Sequence, residues 1–380
     1  MKSIPQARLR KIRTWTHRQK PAELQEVTTQ GKAKPLLDLA SNDYLGLSSH
    51  PLLIKAAQNA MHLEGVGAGG SRLITGSRAI HQEMEESLAK WLDQERVMLF
   101  PSGFQANIAA VIALADRSTP VLADRLSHHS LLLGVKASGA KLQRYAHNDL
   151  TDLEKRLGIC RNKYPKETPL VITESLFSME GTSPPLKKIA ELCERFGANL
   201  LVDEAHALGV IGSEGKGLCY DLSTPVTIVS GTFGKAFGSG GAFLACNQKM
   251  GNYLLQTSGS FRYTTALAPP LAAAALAALT LIKENPNWGI ELQEEAHQWR
   301  RSLKEVGWNT PPGNGPIISL VIGDDQKTLE LQHQLETNGL LCVAIRPPTV
   351  PEGTSRLRIV LRRGLTKGTL PKLLEILGRR

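Results

Sequence analysis

What most limits the fold of this chain is a series of short, largely apolar runs: RVMLF (96–100), PVLAD (120–124), PLVITES (169–175), NLLVD (199–203), PVTIVSG (225–231) and GAFLAC (241–246). Helical patterns follow several of them, namely SGFQANIAAVIALA, SLLLGVKASG and LKKIAELCERFG. A strand that is apolar on both sides has to be covered on both faces. The alternation therefore predicts an α/β fold, a mostly parallel sheet covered by helices.

The pattern stops after a helix ending near Lys283, where ENPNWG intervenes. The remainder reads as helix (291–306), strand PIISLVIG (316–323), helix (327–338), strand LCVAI (341–345), strand SRLRIVL (355–361) and helix (369–378). This predicts a large domain at 49–284, a smaller C-terminal α+β domain at 285–380, and an N-terminal arm at 1–48 that shows no clear period. The longest apolar stretch, Leu267 to Ile282, is short for a membrane span and carries Pro269 and Pro270 in its first turn, so it reads as a buried helix.

Composition removes several classes. With 380 residues and 42% hydrophobic content the chain can bury a large core without disulfides or structural metal. Its five cysteines are scattered and form no C-x-x-C pair, which suits reduced thiols in a cytoplasmic protein. The basic N-terminus lacks the apolar core of a secretory signal. Lys+Arg 45 against Asp+Glu 35 leaves +10, a balance that suits a polyanionic partner. A nucleic-acid reader would need basic clusters interleaved with exposed aromatics, and aromatic residues are only 5%.

Three motif matches fail on context. Gly65, Gly67 and Gly70 spell G-x-G-x-x-G, but a helical pattern precedes them where a dinucleotide site needs a strand. SGTFGK has only two residues between Gly231 and Gly234, too few for a P-loop. DEAH (203–206) and His128-His129 lack further metal-ligand partners, so no metal site is expected.

The chemistry concentrates at strand ends, where open α/β sheets place their sites. Ser102, Gly103 and Phe104 follow the first run at a helix start suited to a phosphate. Asp124 and His128 follow the second run, Glu174 and Ser178 the third, Asp203 and His206 the fourth, and Thr232 and Lys235 the fifth. Singly, each reads as a cap, a turn residue or a solvated charge. Together they supply what pyridoxal phosphate requires: a lysine to hold it, an acid for its ring nitrogen and a cradle for its phosphate.

LVDEAHALGVIG and SGTFGKAFGSGGA resemble the α-oxoamine synthase family of fold-type-I pyridoxal-phosphate transferases. SNDYLGLSSHP, GAGGSRLITGS, FPSGFQAN, ADRLSHHSLL, TESLFSMEG and AIRPPTVPEGTSRLRI match that family in order, over nearly the whole chain. The resemblance implies that Lys235 carries the cofactor, Asp203 pairs with its ring nitrogen, and His206 bonds its ring hydroxyl, with Ser178 a second candidate for that bond. It further implies that His128 stacks on the ring, that Gly103, Phe104 and Thr232 meet the phosphate, and that Thr264 or Thr265 reaches it across a homodimer interface. Asn42 and Arg358 are expected to hold an amino-acid carboxylate. Thr349 and an N-terminal arginine, Arg18 or Arg13, are expected to meet an acyl substrate. The last motif is most similar to the biotin-pathway branch, which implies L-alanine and pimeloyl-CoA or pimeloyl-acyl carrier protein as substrates. A sibling activity such as glycine acetyl transfer shares the earlier motifs. Glu204 and Ala207-Leu208 depart from the family's usual second Asp and smaller residues, without removing a required group.

Overall fold

The computed structural model describes residues 4–17, 22–29 and 31–380. It divides into two compact units, one of residues 47–177 and 183–289, the other of residues 1–46, 178–182 and 290–380. Within the second, smaller unit the N-terminal segment forms three strands, β1 (Thr14–His17), β2 (Glu23–Thr28) and β3 (Gly31–Asp38). These half-exposed strands carry no continuous apolar signal, which is why 1–48 reads as an arm from sequence.

The larger unit contains β4 (Arg96–Phe100), β5 (Pro120–Asp124), β6 (Lys141–Tyr145), β7 (Leu170–Glu174), β8 (Asn199–Asp203), β9 (Ile228–Thr232) and β10 (Ala242–Cys246). They form one sheet in the order β4-β10-β9-β8-β7-β5-β6. The neighbouring pairs from β9 through β6 are parallel, while β10 runs antiparallel between β4 and β9. Side chains alternate between two fully buried faces. Val121, Ala123, Leu170, Ile172 and Leu201 enter one core, and Leu122, Val171, Leu200 and Val202 the other. That double burial is the physical source of the apolar runs. The exception is β6, KLQRY, an edge strand with a mostly exposed, polar sequence that gives no strand signal.

The smaller unit is completed by β11 (Ile317–Gly323), β12 (Leu340–Leu341), β13 (Val343–Ile345) and β14 (Ser355–Val360). The single strand expected at 341–345 is divided between two sheets. β12 pairs in parallel with β3, whereas β13 pairs with β14 in the sheet β11-β14-β13. Residues 1–46 thereby join the C-terminal segment. The buried Arg362 reinforces this, reaching Asp38 at 3.1 Å and Asp43 at 2.9 Å.

In the larger unit, Pro269–Glu284 is a buried, alanine-rich helix with proline at its first turn, and no helix among the described residues is long and apolar enough to cross a membrane. Just before this helix, Leu267 O accepts from Nε2 of the fully buried His81 at 2.7 Å, while His81 Nδ1 accepts from Arg78 N at 3.0 Å. Both ring nitrogens are therefore used by a neutral imidazole. Burial, foremost, pushes its pKa below the ordinary 6.5. A histidine depressed in the folded state contributes stability above its unfolded pKa and loses it as pH falls through the folded value. His81→Gln should therefore show a shallower loss of melting temperature between pH 7 and pH 5 than the parent. Equal slopes in the two proteins would contradict this assignment.

Candidate active site

The carboxyl ends of the parallel strands carry the reactive groups of the larger unit. Asp203 ends β8 and is 5% exposed, yet neither oxygen is idle. Oδ1 accepts from Ala205 N at 2.9 Å and Oδ2 from Asn107 Nδ2 at 2.7 Å. One donor on each oxygen fixes the plane of the carboxylate and leaves lone pairs for a ligand. His206, three residues on, is buried.

His128 follows β5 as the N-cap of the helix His129–Ser138. Its backbone N–H donates to Glu174 Oε1 at 2.5 Å, at the end of the adjacent β7. Asp124 accepts from Leu126 N at 2.9 Å, from Asn148 N at 3.0 Å and from His147 Nδ1 at 3.0 Å. Glu174 and Asp124 thus anchor the loop that bears His128. Part of His128 is open to solvent and part is enclosed, and the enclosure is the main reason its pKa falls below the usual histidine range. The Asp203 carboxylate opposes that shift, whereas Lys235 and His129 add to it. The imidazole, the acid and the lysine therefore lie within each other's electrostatic reach, and the ring is neutral at pH 7.

Lys235 is half-buried in the tight turn after β9. Its carbonyl accepts from Gly238 N at 2.9 Å, and Gly238 has φ +61°. A Cβ at Gly238 would sit 2.4 Å from Ser48 N, so this turn admits only glycine there. Thr232 Oγ1 donates to Gly241 O at 2.9 Å and accepts from Gly234 N at 3.2 Å.

Ser102 caps the helix Gly103–Leu114 through Gln105 N at 3.3 Å. The first intrahelical bond runs from Ala106 N to Ser102 O, so the Gly103 and Phe104 N–H groups have no partner inside the helix. A Cβ on Gly103 would lie 3.6 Å from Thr232 Cβ, which puts this helix start beside the Thr232 hydroxyl. Two free N–H groups and a helix dipole make an anion cradle, beside a Thr232 hydroxyl that would have to leave Gly241 O to donate to the anion. Cradle, acid, imidazole and lysine are the donor set that pyridoxal phosphate needs. Phe104 is 44% exposed, with its ring centroid 6.4 Å from that of His129. Thr264 and Thr265 line a surface depression with Leu73, Ile74 and Tyr263.

In the smaller unit the structure brings together Asn42, Ser178 and Arg358. Arg358 is 6% exposed on β14; its Nε donates to Ser178 O at 2.6 Å and its Nη2 to Asn42 Oδ1 at 2.9 Å. Ser178 thus contributes its carbonyl. Neighbouring buried arginines are neutralised, Arg356 by Glu180 at 3.1 Å and Arg362 by Asp38 and Asp43. Arg358 has only uncharged hydrogen-bond acceptors among the described residues. Burial raises the pKa of the adjacent Tyr44 to about 12, against the pull of Arg358.

The N-terminal arginines sort the same way. Arg13 is paired with Glu26 at 2.8 Å and Glu336 at 2.6 Å, and Arg8 with Asp325 at 2.7 Å and Glu352 at 2.5 Å. Arg10 instead donates to Thr349 Oγ1 at 2.8 Å, a neutral partner. Arg10, Thr349 and Arg346 border a cavity of about 860 Å³ whose wall includes Trp15, Val343 and Ile345. Arg18 lies outside the described residues. Sequence reasoning missed Arg10 because a charge's partner is invisible in sequence. It missed Asn107 and Ser130 too, although an asparagine inside the apolar helix GFQANIAAVIAL was a signal. Asn107 Oδ1 is buried without a partner among the described residues, at a cost of about 1–3 kcal/mol.

Comparisons with known proteins agree with this geometry. The family described as aminotransferase class I and II matches residues 34–377. An 8-amino-7-oxononanoate synthase of Marinomonas sp. (strain MWYL1) is 41% identical over 339 residues, covering 88% of this chain and 83% of that protein. Among solved structures, an 8-amino-7-oxononanoate synthase of Francisella tularensis has a TM-score of 0.78 at 29% identity, covering 90% of this chain and 96% of that one. A serine palmitoyltransferase from S. paucimobilis, bound to PLP–myriocin, has a TM-score of 0.90 at 26% identity, covering 96% and 91%.

The cradle yields a direct expectation. Gly103→Ala has room, since its Cβ makes only ordinary contacts, whereas Gly103→Asp sets a carboxylate against the phosphate. Gly103→Asp should weaken pyridoxal phosphate binding to the apoprotein by about tenfold or more, ~1.4 kcal/mol, and Gly103→Ala by much less. Fluorescence titration measures both. Equal affinities would put the phosphate elsewhere.

Proposed function

The chain belongs to the class I and II aminotransferase family and, within it, to the pyridoxal-phosphate-dependent 8-amino-7-oxononanoate synthases; from that membership we propose that it condenses L-alanine with a pimeloyl thioester. The products are 8-amino-7-oxononanoate, CO2 and the free thiol carrier, coenzyme A or acyl carrier protein, in cytoplasmic biotin biosynthesis. The observation that carries this reading is Arg358, a buried guanidinium whose described hydrogen-bond partners are all neutral. Such a group favours a small carboxylate, which it can grip with two parallel N–H donors.

When bound, the cofactor supplies an electron sink for negative charge at the amino acid's α-carbon. Asp203, fixed by Asn107 and Ala205, holds the ring nitrogen in its protonated form. The Gly103 and Phe104 N–H groups and Thr232 hold the phosphate. Lys235 would hold the cofactor, and its amine would move the proton at the α-carbon. His128 lies against the ring as a neutral imidazole, and His206, with Ser178 as the other candidate, bonds the ring hydroxyl. Asn42 and Arg358 bind the alanine carboxylate that is finally lost as CO2. The acyl chain is assigned to the cavity beside Thr349, where Arg10 has a neutral partner and Arg13 is held by carboxylates; Arg18 lies outside the described residues. Thr264 or Thr265 reaches the phosphate of the second copy in a homodimer, in keeping with the exposed Leu73, Ile74 and Tyr263 beside them.

A sibling activity is favoured by one observation, the higher TM-score to a serine palmitoyltransferase, 0.90 against 0.78. Sequence identity runs the other way, 26% against 29%, and a shared backbone does not choose a substrate. Mass spectrometry of the products from L-alanine, glycine or serine with pimeloyl, acetyl or palmitoyl thioesters decides the matter. 8-Amino-7-oxononanoate should dominate, and preferred turnover of glycine or serine would overturn the reading.

Arg358 and Arg10 are expected to separate the substrates. Arg358→Ala should raise KM for alanine at least tenfold and change KM for the thioester little. Arg10→Ala should do the reverse and narrow the preference for chains ending in a carboxylate. Unchanged alanine kinetics in Arg358→Ala would move the carboxylate site, with Arg346 the next candidate.

A further inference from the structure

The Asn107 amide nitrogen has two hydrogens, and both are committed. It lies 2.7 Å from Asp203 Oδ2 and 3.0 Å from Ser130 Oγ. A carboxylate oxygen accepts hydrogen bonds, so the nitrogen rather than Oδ1 must face Asp203. Ser130, fully buried as the second residue of the helix after β5, therefore accepts from Asn107. Its own hydrogen is left to point elsewhere, and His128 Nδ1 stands 2.7 Å away. The Ser130 backbone N–H also points at Nδ1, at 3.4 Å. Two donors converging on Nδ1 leave no place for a proton there.

We infer that Asn107 and Ser130 are positioning residues that lock His128 in the tautomer protonated on Nε2 and couple that ring to the Asp203 carboxylate. The direction of the chain is fixed at its charged end: Asp203 orients the amide, the amide orients the hydroxyl, and the hydroxyl orients the imidazole. Asp203, Lys235 and His129 act on the ring through their charges, and Glu174 holds the backbone of the same residue. None of these places a donor or acceptor on Nδ1 among the described residues. The helix Gly103–Leu114 thus supplies, from one element, both the phosphate cradle and the amide that aligns the ring-facing groups. The functional weight of the device rests on the proposed cofactor contacts of His128 and Asp203, but the tautomer does not.

Nitrogen-15 NMR of histidine-labelled holoenzyme, with His128 assigned through His128→Gln, reads the tautomer directly. His128 should show a bare Nδ1 and a protonated Nε2 near pH 7. Ser130→Ala and Asn107→Leu should give a mixture of tautomers, and Ser130→Thr, which keeps the hydroxyl, should restore the single form. In the same variants kcat should fall about tenfold with KM for the amino acid nearly unchanged, and Ser130→Thr should recover most of it. A wild-type ring protonated on Nδ1 would overturn the inference whether or not any variant folds. So would a single unchanged tautomer in both Ser130→Ala and Asn107→Leu. If the tautomers behave as stated while turnover uses other substrates, the proposed function fails and the positioning role stands.

Discussion

Five strands of the large sheet, β5 to β9, run parallel, so their carboxyl ends share one edge. Every reactive group of the larger unit hangs from that edge. β4 has the same sense as β9, because β10 is antiparallel to both, and this adds the start of the helix Gly103–Leu114 to the same side. The sheet can keep this arrangement because both its faces are sealed by apolar cores, leaving only the strand ends for polar residues. Site and core are consequences of one alternation. The turn after β9 then needs glycine at 238 to bring Lys235 round.

In the smaller unit carboxylates close on Arg8, Arg13, Arg356 and Arg362. Arg358 and Arg10 are left with neutral acceptors. Leaving a buried charge without a counter-charge costs on the order of 3–5 kcal/mol when a partner is removed, and a ligand carboxylate offsets that. Arg300 is also buried, with only carbonyl acceptors among the described residues, so a neutral partner set marks Arg358 as a candidate and does not by itself assign a ligand. The pattern also replaces Arg13, already held by Glu26 and Glu336, with Arg10 as the residue beside Thr349.

The large sheet was readable from sequence because burial on both faces writes itself as unbroken apolar runs. Asp203, His206, Thr232 and Lys235 were readable because they follow those runs. What was hidden depends on distant partners. β1 to β3 are half-exposed, and β3 alone pairs with a two-residue strand about 300 positions away. β6 is a polar edge strand. The run LCVAI reads as one strand, but Cys342 is where the chain leaves β3's sheet for that of β14. Asn107 stands out as a polar residue in an apolar helix, but its partner Asp203, 96 residues on, is set only by the fold.

The central claim is that the turn after β9 presents Lys235 to pyridoxal phosphate at the strand edge that holds Asp203 and His128. Borohydride reduction of the holoenzyme followed by peptide mapping tests it most directly. The pyridoxyl group should be found on Lys235 and on no other lysine. A reduced adduct on a different lysine, or none on a protein that binds the cofactor, would contradict the account.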